Sequence, residues 1–330
     1  MQYAQLGTDG PNVSRLCLGT MTFGFQSDET VSRKILDVAS DAGITFIDTA
    51  DVYPAGGGYA SVGRTEEIVG RWLSGKRDRF VIATKAGGPM APSPSSGGAS
   101  RSYLLTAIDA SLRRLRTDYV DLFQLHYDDK NTSLDETLGA LDSIVRSGKA
   151  RYIGLSNFMA YRAARALGRA EVHQLVKPVS IQSRYNLLFR EIEHELMPLA
   201  SEEGLGVMVY NPLAGGMLLG KYTPHSEPLP GTRFTLGTTG TNHQKRYWHA
   251  RQFETVESLR SISDEAAQPL ASLAVAWLLA NPCITSVIIG ASSPEQLADT
   301  TAAVDVKLDR GTKQQCDDLT IKFRSYSTSS

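Results

Sequence analysis

The stretch FIDTADVY at residues 46–53 decides the fold, because it starts as a buried strand and breaks at its C-terminal end into a loop that carries an aspartate and a tyrosine. Two later apolar stretches end in the same way. FVIATK at residues 80–85 ends in a lysine, and DLFQLH at residues 121–126 ends in a histidine. The C-terminal ends of parallel strands lie on one rim of a sheet, so the sequence predicts that three strands bring one polar cluster together.

Strand and helix alternate along the rest of the chain. The other predicted strands lie at residues 16–18, 151–155, 179–182, 206–210 and 286–289. Continuous apolar strands of this kind are buried on both faces, and eight of them, each followed by a helix, indicate a closed (β/α)8 or TIM barrel in the α/β class. We predict one domain over residues 1–330, with a long insertion after the seventh strand at about 213–252 and a polar tail at about 310–330.

The composition gives no reason to expect nucleic acid or a membrane as a partner. The 330 residues carry a formal net charge of -1 and a pI near 6.6, so no strong field would attract a polyanion. The cysteines, Cys17, Cys283 and Cys316, form no metal-type spacing, and we predict no metal. The N-terminal residues lack the pattern of a signal peptide, and the longest apolar run, at 271–280, is too short to span a bilayer. We predict a reducing, cytoplasmic environment.

Polar residues at the predicted strand ends could together donate a proton to a carbonyl oxygen. In TIM barrels the active site lies at these ends, where the sequence places Asp48, Tyr53, Lys85 and His126. A tyrosine hydroxyl is a poor acid at neutral pH, and we expect the Lys85 ammonium to lower the pKa of Tyr53. Asp48 would keep Lys85 charged, and His126 would hydrogen-bond the substrate oxygen. No cysteine or serine has the surroundings of an activated nucleophile, so the donor needs a hydride source.

The segments around these four residues resemble the signature segments of the aldo-keto reductase superfamily, in the branch that includes potassium-channel β subunits and bacterial aldo/keto reductases. The similarity covers nearly the whole chain and extends to IGLSNF at 153–158, YNPLAGG at 210–216 and IGASSPEQL at 289–297. It implies a barrel that binds NADP(H) across the strand ends without a Rossmann fold. It also implies that Tyr53 is the general acid or base in the reduction of an aldehyde or ketone, or in the reverse oxidation of an alcohol.

The resemblance also implies a set of cofactor contacts. Ser156, Asn157 and Gln182 match positions that hold the nicotinamide carboxamide, and Tyr210 matches the ring that stacks on the nicotinamide. The two basic residues of the set, both in the insertion, match those that close over the phosphates. In chain order the complete set is Thr20, Met21, Asp48, Ser156, Asn157, Gln182, Tyr210, Asn211, Pro212, Leu213, Gly215, Lys221, Arg233, Gly290, Ser292, Gln296 and Thr300.

The segment that matches the adenosine and 2′-phosphate contacts departs from the family pattern. It contains Gly290, Ser292, Gln296 and Thr300, but residues 290–293 read GASS where many members carry lysine or arginine, and Thr300 stands where asparagine is usual. The two adjacent serines also resemble the channel-β-like branch, which uses NADPH. We therefore predict NADP(H) as the cofactor, with the use of NADH left open.

Two other classes of function remain open on the sequence. A Schiff-base aldolase could use Lys85 as its nucleophile, although this chemistry needs a neutral lysine, and Asp48 and Tyr53 favour a charged one. A nucleotide-binding regulatory subunit like the channel β proteins is the non-enzymatic alternative. His126 argues against it, because those subunits carry asparagine at this position. The expected partner is a small to medium-sized aldehyde, ketone or alcohol, chosen by the loops after Tyr53, Lys85 and Tyr210.

Overall fold

Eight parallel strands form a closed barrel in the structure, a computed structural model that describes residues 1–324 apart from the side chains of Thr238 and Asp299. A short antiparallel hairpin comes first, made of β1 (Tyr3–Gln5) and β2 (Asn12–Ser14). The barrel strands are β3 (Leu16–Gly19), β4 (Phe46–Asp48), β5 (Val81–Ala86), β6 (Val120–Leu125), β7 (Ala150–Ser156), β8 (Ser180–Arg184), β9 (Gly206–Tyr210) and β10 (Ile284–Ile289). Each strand pairs in parallel with the next, and β10 closes the ring on β3. The predicted (β/α)8 barrel is confirmed.

Helices cover the outside of the barrel, and each barrel strand is followed by at least one of them. The α-helices are α1 (Glu29–Asp41), α2 (Arg64–Trp72), α3 (Arg101–Leu115), α4 (Leu134–Arg146), α5 (Ala160–Val172), α6 (Leu196–Glu202), α7 (Gly237–Tyr247), α8 (Ala250–Glu265), α9 (Leu270–Leu279), α10 (Pro294–Thr301) and α11 (Arg310–Thr320). Short 3-10 helices lie at Tyr59–Ser61, Arg77–Arg79, Glu191–Glu193, Ala214–Leu219, Ala302–Asp305 and Ile321–Phe323. No helix within residues 1–324 is long and apolar enough to cross a membrane.

Helix α4 illustrates how the local sequence determines these elements. Ser133 at its N-cap accepts a hydrogen bond from the backbone N–H of Glu136 at 3.2 Å. A cap of this kind stabilises a helix by about 1 kcal/mol. Leu138, Leu141 and Ile144 recur at helical spacing and are buried in the main core. The barrel strands are apolar along their length because the helices cover their outer face.

The N-terminal hairpin closes the N-terminal end of the barrel. Leu6 and Val13 are fully buried in one cluster with side chains from the barrel strands. The backbone N–H of Thr8 donates to the carbonyl oxygen of Gly204, just before β9, at 2.8 Å. The sequence prediction did not include this hairpin. Because it fills one end of the barrel, the space for a ligand lies at the other end, where the strands terminate.

The segment after β9 contains α7 and lies where the sequence predicted a long insertion. An aromatic cluster anchors it, in which the rings of Tyr222 and Phe234 lie 5.1 Å and 5.0 Å from that of Trp248. Gln26 Nε2 donates to the carbonyl oxygen of Gly231 at 3.1 Å, so the segment also contacts the loop after β3. It therefore reaches across the C-terminal end of the barrel.

Much of the predicted polar tail at about 310–330 is helical. Helix α11 and the 3-10 helix after it pack against the rest of the protein, because Cys316 and Phe323 are buried. Trp277 Nε1 of α9 donates to Asp317 Oδ1 at 2.9 Å, which fixes α11 further. Residues 325–330, the end of the predicted tail, lie outside the described residues.

Candidate active site

A cavity of about 650 Å³ lies at the C-terminal ends of the barrel strands, and its volume is in the range of small-molecule sites. Asp48, Tyr53 and His126 line it, whereas Lys85 is buried next to Asp48. Thr20 does not line the cavity but donates from Oγ1 to the backbone oxygen of Asp48 at 2.9 Å. The other predicted cofactor positions all line the cavity, namely Met21, Asp48, Ser156, Asn157, Gln182, Tyr210, Asn211, Pro212, Leu213, Gly215, Lys221, Arg233, Gly290, Ser292, Gln296 and Thr300.

A buried ion pair joins the ends of β4 and β5. Lys85 Nζ donates to Asp48 Oδ1 at 2.5 Å and to the carbonyl oxygen of Thr49 at 2.7 Å, and the two side chains are 1% and 3% exposed. The second carboxylate oxygen, Asp48 Oδ2, accepts from Gln124 Nε2 at 3.1 Å and from Gln182 Nε2 at 2.9 Å. A buried ion pair is tolerated when hydrogen bonds satisfy its remaining polar atoms, as they do here. The pair therefore supplies a fixed charge arrangement below the cavity.

Tyr53 lies above this ion pair and is held in its protonated form. The Lys85 Nζ atom is 5.1 Å from the centroid of its ring. Burial, followed by the negative charge of Asp48, raises the pKa of Tyr53 well above its ordinary value. The sequence-based expectation that Lys85 lowers this pKa is therefore wrong for this structure, because Asp48 compensates the lysine charge and the surroundings exclude water. A neutral hydroxyl at this place is a proton donor.

His126 faces the cavity as a neutral imidazole. Burial, followed by the charge of Lys85, lowers the pKa of His126 well below its ordinary value. Its Nδ1 atom is buried and has no hydrogen-bond partner among the described residues, so the ring proton is best assigned to Nε2. The ring stacks on Tyr127 at 4.5 Å and meets Tyr53 edge-on at 5.8 Å between centroids. Both neighbours fix the direction in which an Nε2–H group can donate.

The residues predicted to hold a nicotinamide form one hydrogen-bonded group. The Tyr210 hydroxyl donates to Asn157 Oδ1 at 2.8 Å. Asn157 Nδ2 donates in turn to Ser156 Oγ at 3.1 Å and to the carbonyl oxygen of His126 at 2.9 Å. The Gln182 amide is also engaged, because it binds Asp48. The structure thus links the predicted carboxamide contacts directly to two of the four predicted catalytic residues, Asp48 and His126.

Arg233 lies in the cavity wall without an acidic partner. Its Nη1 atom contacts Met21 Sδ at 3.8 Å, and no carboxylate pairs with it in the part of the chain that the structure describes. Burial lowers the pKa of Arg233, as expected for a cation that lacks a counter-charge. A cation in this condition is suited to an anionic ligand.

The predicted adenosine segment forms a compact turn at the end of β10. Ser292 donates from both its backbone N–H and its Oγ to Gln296 Oε1 at 3.0 Å. Thr300 is 4% exposed and donates to backbone oxygens of α10. Thr22 Oγ1 donates to the carbonyl oxygen of Ala291 at 2.8 Å, which joins this turn to the loop after β3. The polar side chains of this turn, those of Thr22, Ser292, Gln296 and Thr300, are thus neutral hydrogen-bonding groups.

Several cavity residues were not predicted from the sequence. Asn242, His243 and Arg246 of α7 line the cavity, and their spacing of one helical turn on a polar face is a signal that could have identified them. Tyr127 lines it as well. Gln124, which holds Asp48, lies two residues before His126, and the alternation of side chains along a strand would have placed both on the same side.

Another buried carboxyl group lies close to Tyr53 in the chain. Asp51 is 1% exposed, its Oδ2 accepts from the Tyr103 hydroxyl at 3.4 Å, and its Oδ1 has no hydrogen-bond partner among residues 1–324. Glu66, which is fully buried, pairs with Arg114 at 2.7 Å. Burial, followed by the charge of Glu66, raises the pKa of Asp51 to about 8. Asp51 is therefore mostly protonated at neutral pH.

Asp51→Asn is expected to stabilise the protein by an amount that grows with pH. The folded state binds the proton with a pKa of about 8, whereas an unfolded aspartate has a pKa of about 3.9, so the free energy of unfolding of the wild type falls as the pH rises between these values. The variant avoids this loss, which is on the order of a few kcal/mol. Urea denaturation of both proteins from about pH 5 to about pH 9 measures the difference in their free energies of unfolding. A difference that is constant across this range would contradict the assignment.

Comparison with known proteins agrees with this geometry. Residues 15–321 match the model of the aldo/keto reductase family. Similar proteins include an uncharacterized oxidoreductase, YrpG, from Bacillus subtilis (39% identity, covering 97% of this chain and 96% of that protein) and a probable voltage-gated potassium channel subunit beta from Arabidopsis thaliana (38%, covering 93% and 92%). The L-glyceraldehyde 3-phosphate reductase of Escherichia coli K12 is 35% identical over 92% of this chain and 88% of its own. The resemblance found in the sequence is confirmed, and the chain belongs to the aldo/keto reductase family.

Proposed function

We propose that this protein is an NADP(H)-dependent oxidoreductase that reduces an aldehyde or ketone, or oxidises the corresponding alcohol. The observation that carries this proposal is the pairing of two neutral donors, the Tyr53 hydroxyl and the imidazole of His126, above the buried Lys85–Asp48 ion pair. Two donors that line one cavity, with ring centroids 5.8 Å apart, are suited to an oxygen on which negative charge develops. Relatives named as an oxidoreductase and as an aldehyde phosphate reductase support the same class of reaction.

The cavity walls offer suitable groups for a nicotinamide dinucleotide. Ser156, Asn157 and Gln182 would hold the carboxamide beside the Tyr210 ring, and Lys221 and Arg233 would bind the phosphates. When bound, this cofactor supplies the hydride that is added to the carbonyl carbon.

Each residue of the predicted catalytic set has a separate task. Tyr53 donates its proton to the carbonyl oxygen, and His126 donates a hydrogen bond from Nε2 to the same oxygen, which orients the substrate. As Tyr53 gives up its proton, the positive charge of Lys85 stabilises the negative oxygen that forms. Asp48 holds Lys85 in place through the 2.5 Å contact. In the oxidation of an alcohol, the oxygen of Tyr53 takes the proton back.

The Schiff-base alternative has little structural support. Lys85 is 1% exposed, does not line the cavity and is bound by both Asp48 and the backbone of Thr49. An imine-forming lysine must be neutral and must reach the substrate carbonyl. The regulatory-subunit alternative is supported by the identity of 38% to a potassium channel β subunit. A regulatory subunit and an enzyme would both bind the nucleotide, so only turnover distinguishes the two functions.

Titration of the protein fluorescence with NADPH and with NADH tests the cofactor. Absorbance of the reduced nicotinamide is then followed with a panel of aldehydes and ketones. We expect NADPH to bind and to be oxidised in the presence of an aldehyde. Failure of both nucleotides to bind would contradict the cofactor proposal. Tight binding without turnover in either direction would instead favour the regulatory subunit.

Arg233→Gln is expected to weaken NADPH binding by about tenfold, the lower end of what a charge-assisted hydrogen bond contributes. The reason is that its guanidinium has no carboxylate partner and lies in the cavity wall. Isothermal titration calorimetry with NADPH measures the effect. Arg79→Gln, which removes an exposed arginine outside the cavity, is the control and should leave affinity within about twofold. Equal affinities of Arg233→Gln and wild type would refute the phosphate contact.

A further inference from the structure

The walls of the cavity carry an excess of positive charge. Asp48 is the one carboxylate among the described lining residues, and Lys85 neutralises it. Lys221, Arg233 and Arg246 line the same cavity, and none of them forms a salt bridge within residues 1–324. The phosphates of the proposed cofactor account for the first two. The Arg246 charge is left without a function.

Arg246 lines the same cavity as the proposed proton donors, Tyr53 and His126. It belongs to the face of α7 that also presents Asn242 and His243 to the cavity. Burial raises the pKa of the Tyr127 hydroxyl, and the charges of Lys85 and then Arg246 oppose this effect, so Arg246 is close enough to act on Tyr127. Tyr127 in turn stacks on His126. Arg233 contacts Met21 in the loop after β3, and its charge acts on Tyr53, so both cations lie within electrostatic reach of the proposed proton donors.

Arg246 is also free to bind a ligand. No hydrogen bond, ion pair or ring contact engages its guanidinium anywhere in the described part of the chain, and the side chain is exposed at the cavity wall. A guanidinium offers planar donors that match a carboxylate in a bidentate arrangement. One uncompensated cation suits the single charge of a carboxylate.

We propose that Arg246 binds a carboxylate on the carbonyl substrate, so that the preferred substrates are aldehydes or ketones that carry an acid group. This inference rests on the proposed oxidoreductase function, because it concerns the second end of a molecule whose carbonyl meets Tyr53 and His126. Arg246 then acts as a specificity residue: it holds the far end of the substrate and takes no part in proton transfer. Its contribution is expected in binding and in kcat/KM for acidic substrates.

The test compares two aldehydes with the same ring and the same position of the carbonyl, 4-formylbenzoate and its neutral methyl ester, at saturating NADPH. Wild type, Arg246→Gln, Arg246→Lys and Lys245→Gln are assayed with both. Lys245 is the matched control, because it is an exposed cation next to Arg246 on α7 that does not line the cavity. The quantity of interest is the ratio of kcat/KM for the acid to kcat/KM for the ester.

We expect Arg246→Gln to lower this ratio by about tenfold, Arg246→Lys to restore part of it, and Lys245→Gln to leave it within about twofold. An unchanged ratio in Arg246→Gln overturns the inference. So does a loss of NADPH affinity in Arg246→Gln as large as the loss of acid turnover, because Arg246 would then be a cofactor contact.

Binding without turnover separates this inference from the proposed function. Terephthalate and its dimethyl ester are titrated into the protein with NADP+, and affinity is measured by calorimetry. If wild type turns over neither these aldehydes nor any member of the aldehyde and ketone panel, the proposed function fails, but weaker terephthalate binding in Arg246→Gln than in Lys245→Gln still supports the anion site. Equal terephthalate binding by the two variants overturns it in either case.

Discussion

Tyr53→Phe is expected to lower kcat by about 10³-fold while NADPH affinity stays within about threefold of wild type. The substitution removes one hydroxyl from a ring whose position is fixed by the neighbouring His126 ring and by Lys85. If that hydroxyl donates the proton, its loss affects the chemical step and spares the binding of the nucleotide. Single-turnover absorbance measurements and fluorescence titration on the same samples give the two quantities.

Tyr103→Phe is the matched control for this prediction. It also removes one hydroxyl, which lies behind the site and bridges Asp51 and the carbonyl oxygen of Gly88. We expect kcat to change by less than about tenfold, since such a hydrogen bond contributes only to structure. A Tyr53→Phe variant that keeps more than about a tenth of wild-type kcat would require another proton donor.

Lys85→Met is expected to lower the free energy of unfolding by about 3–5 kcal/mol and to abolish turnover. The substitution leaves the Asp48 carboxylate buried without its counter-charge, although Gln124 and Gln182 still donate to it. Removing one member of a buried ion pair lowers the free energy of unfolding far more than replacing both members by uncharged residues. Urea denaturation followed by two spectroscopic probes measures the change, since coincident transitions are required for a free energy to be assigned.

The double variant Asp48→Asn/Lys85→Met separates stability from function. We expect it to recover most of the stability lost in Lys85→Met, because no uncompensated charge remains, but to stay inactive because the cation beside Tyr53 is missing. If Lys85→Met alone is as stable as wild type, the pair is not ionised in the folded protein. If the double variant regains activity, Lys85 has no role in the chemistry.

The barrel and the four predicted catalytic residues were readable from the sequence for one physical reason. The three strands that carry Asp48, Lys85 and His126 are apolar runs with the polar residue at or next to the C-terminal end, so the order of strands also gives the rim on which these residues meet. The N-terminal hairpin has strands of three residues and no apolar pattern of its own. Helix α7 begins with glycine and threonine, which are poor helix formers, and its place depends on tertiary contacts.

The electrostatics of the site could not be derived from the order of residues. Lys85, Asp48 and Tyr53 were predicted to be neighbours, but the direction of the pKa shift of Tyr53 depends on burial and on how closely Asp48 compensates Lys85. Asp51 was visible in the sequence only as one more loop aspartate. Its raised pKa comes first from burial and then from the charge of Glu66, a residue of the following helix.

The closure of the barrel by the β1–β2 hairpin has a consequence for synthesis on the ribosome. Thr8 bonds to Gly204, 196 residues later, and β3 completes the ring only when β10 is available. This segment is made long before its partners at residues 204–289, so it is buried late and keeps an open strand edge in the meantime. Contacts this distant in sequence slow folding. The pairing edge of β3 therefore stays exposed until β10 has been made.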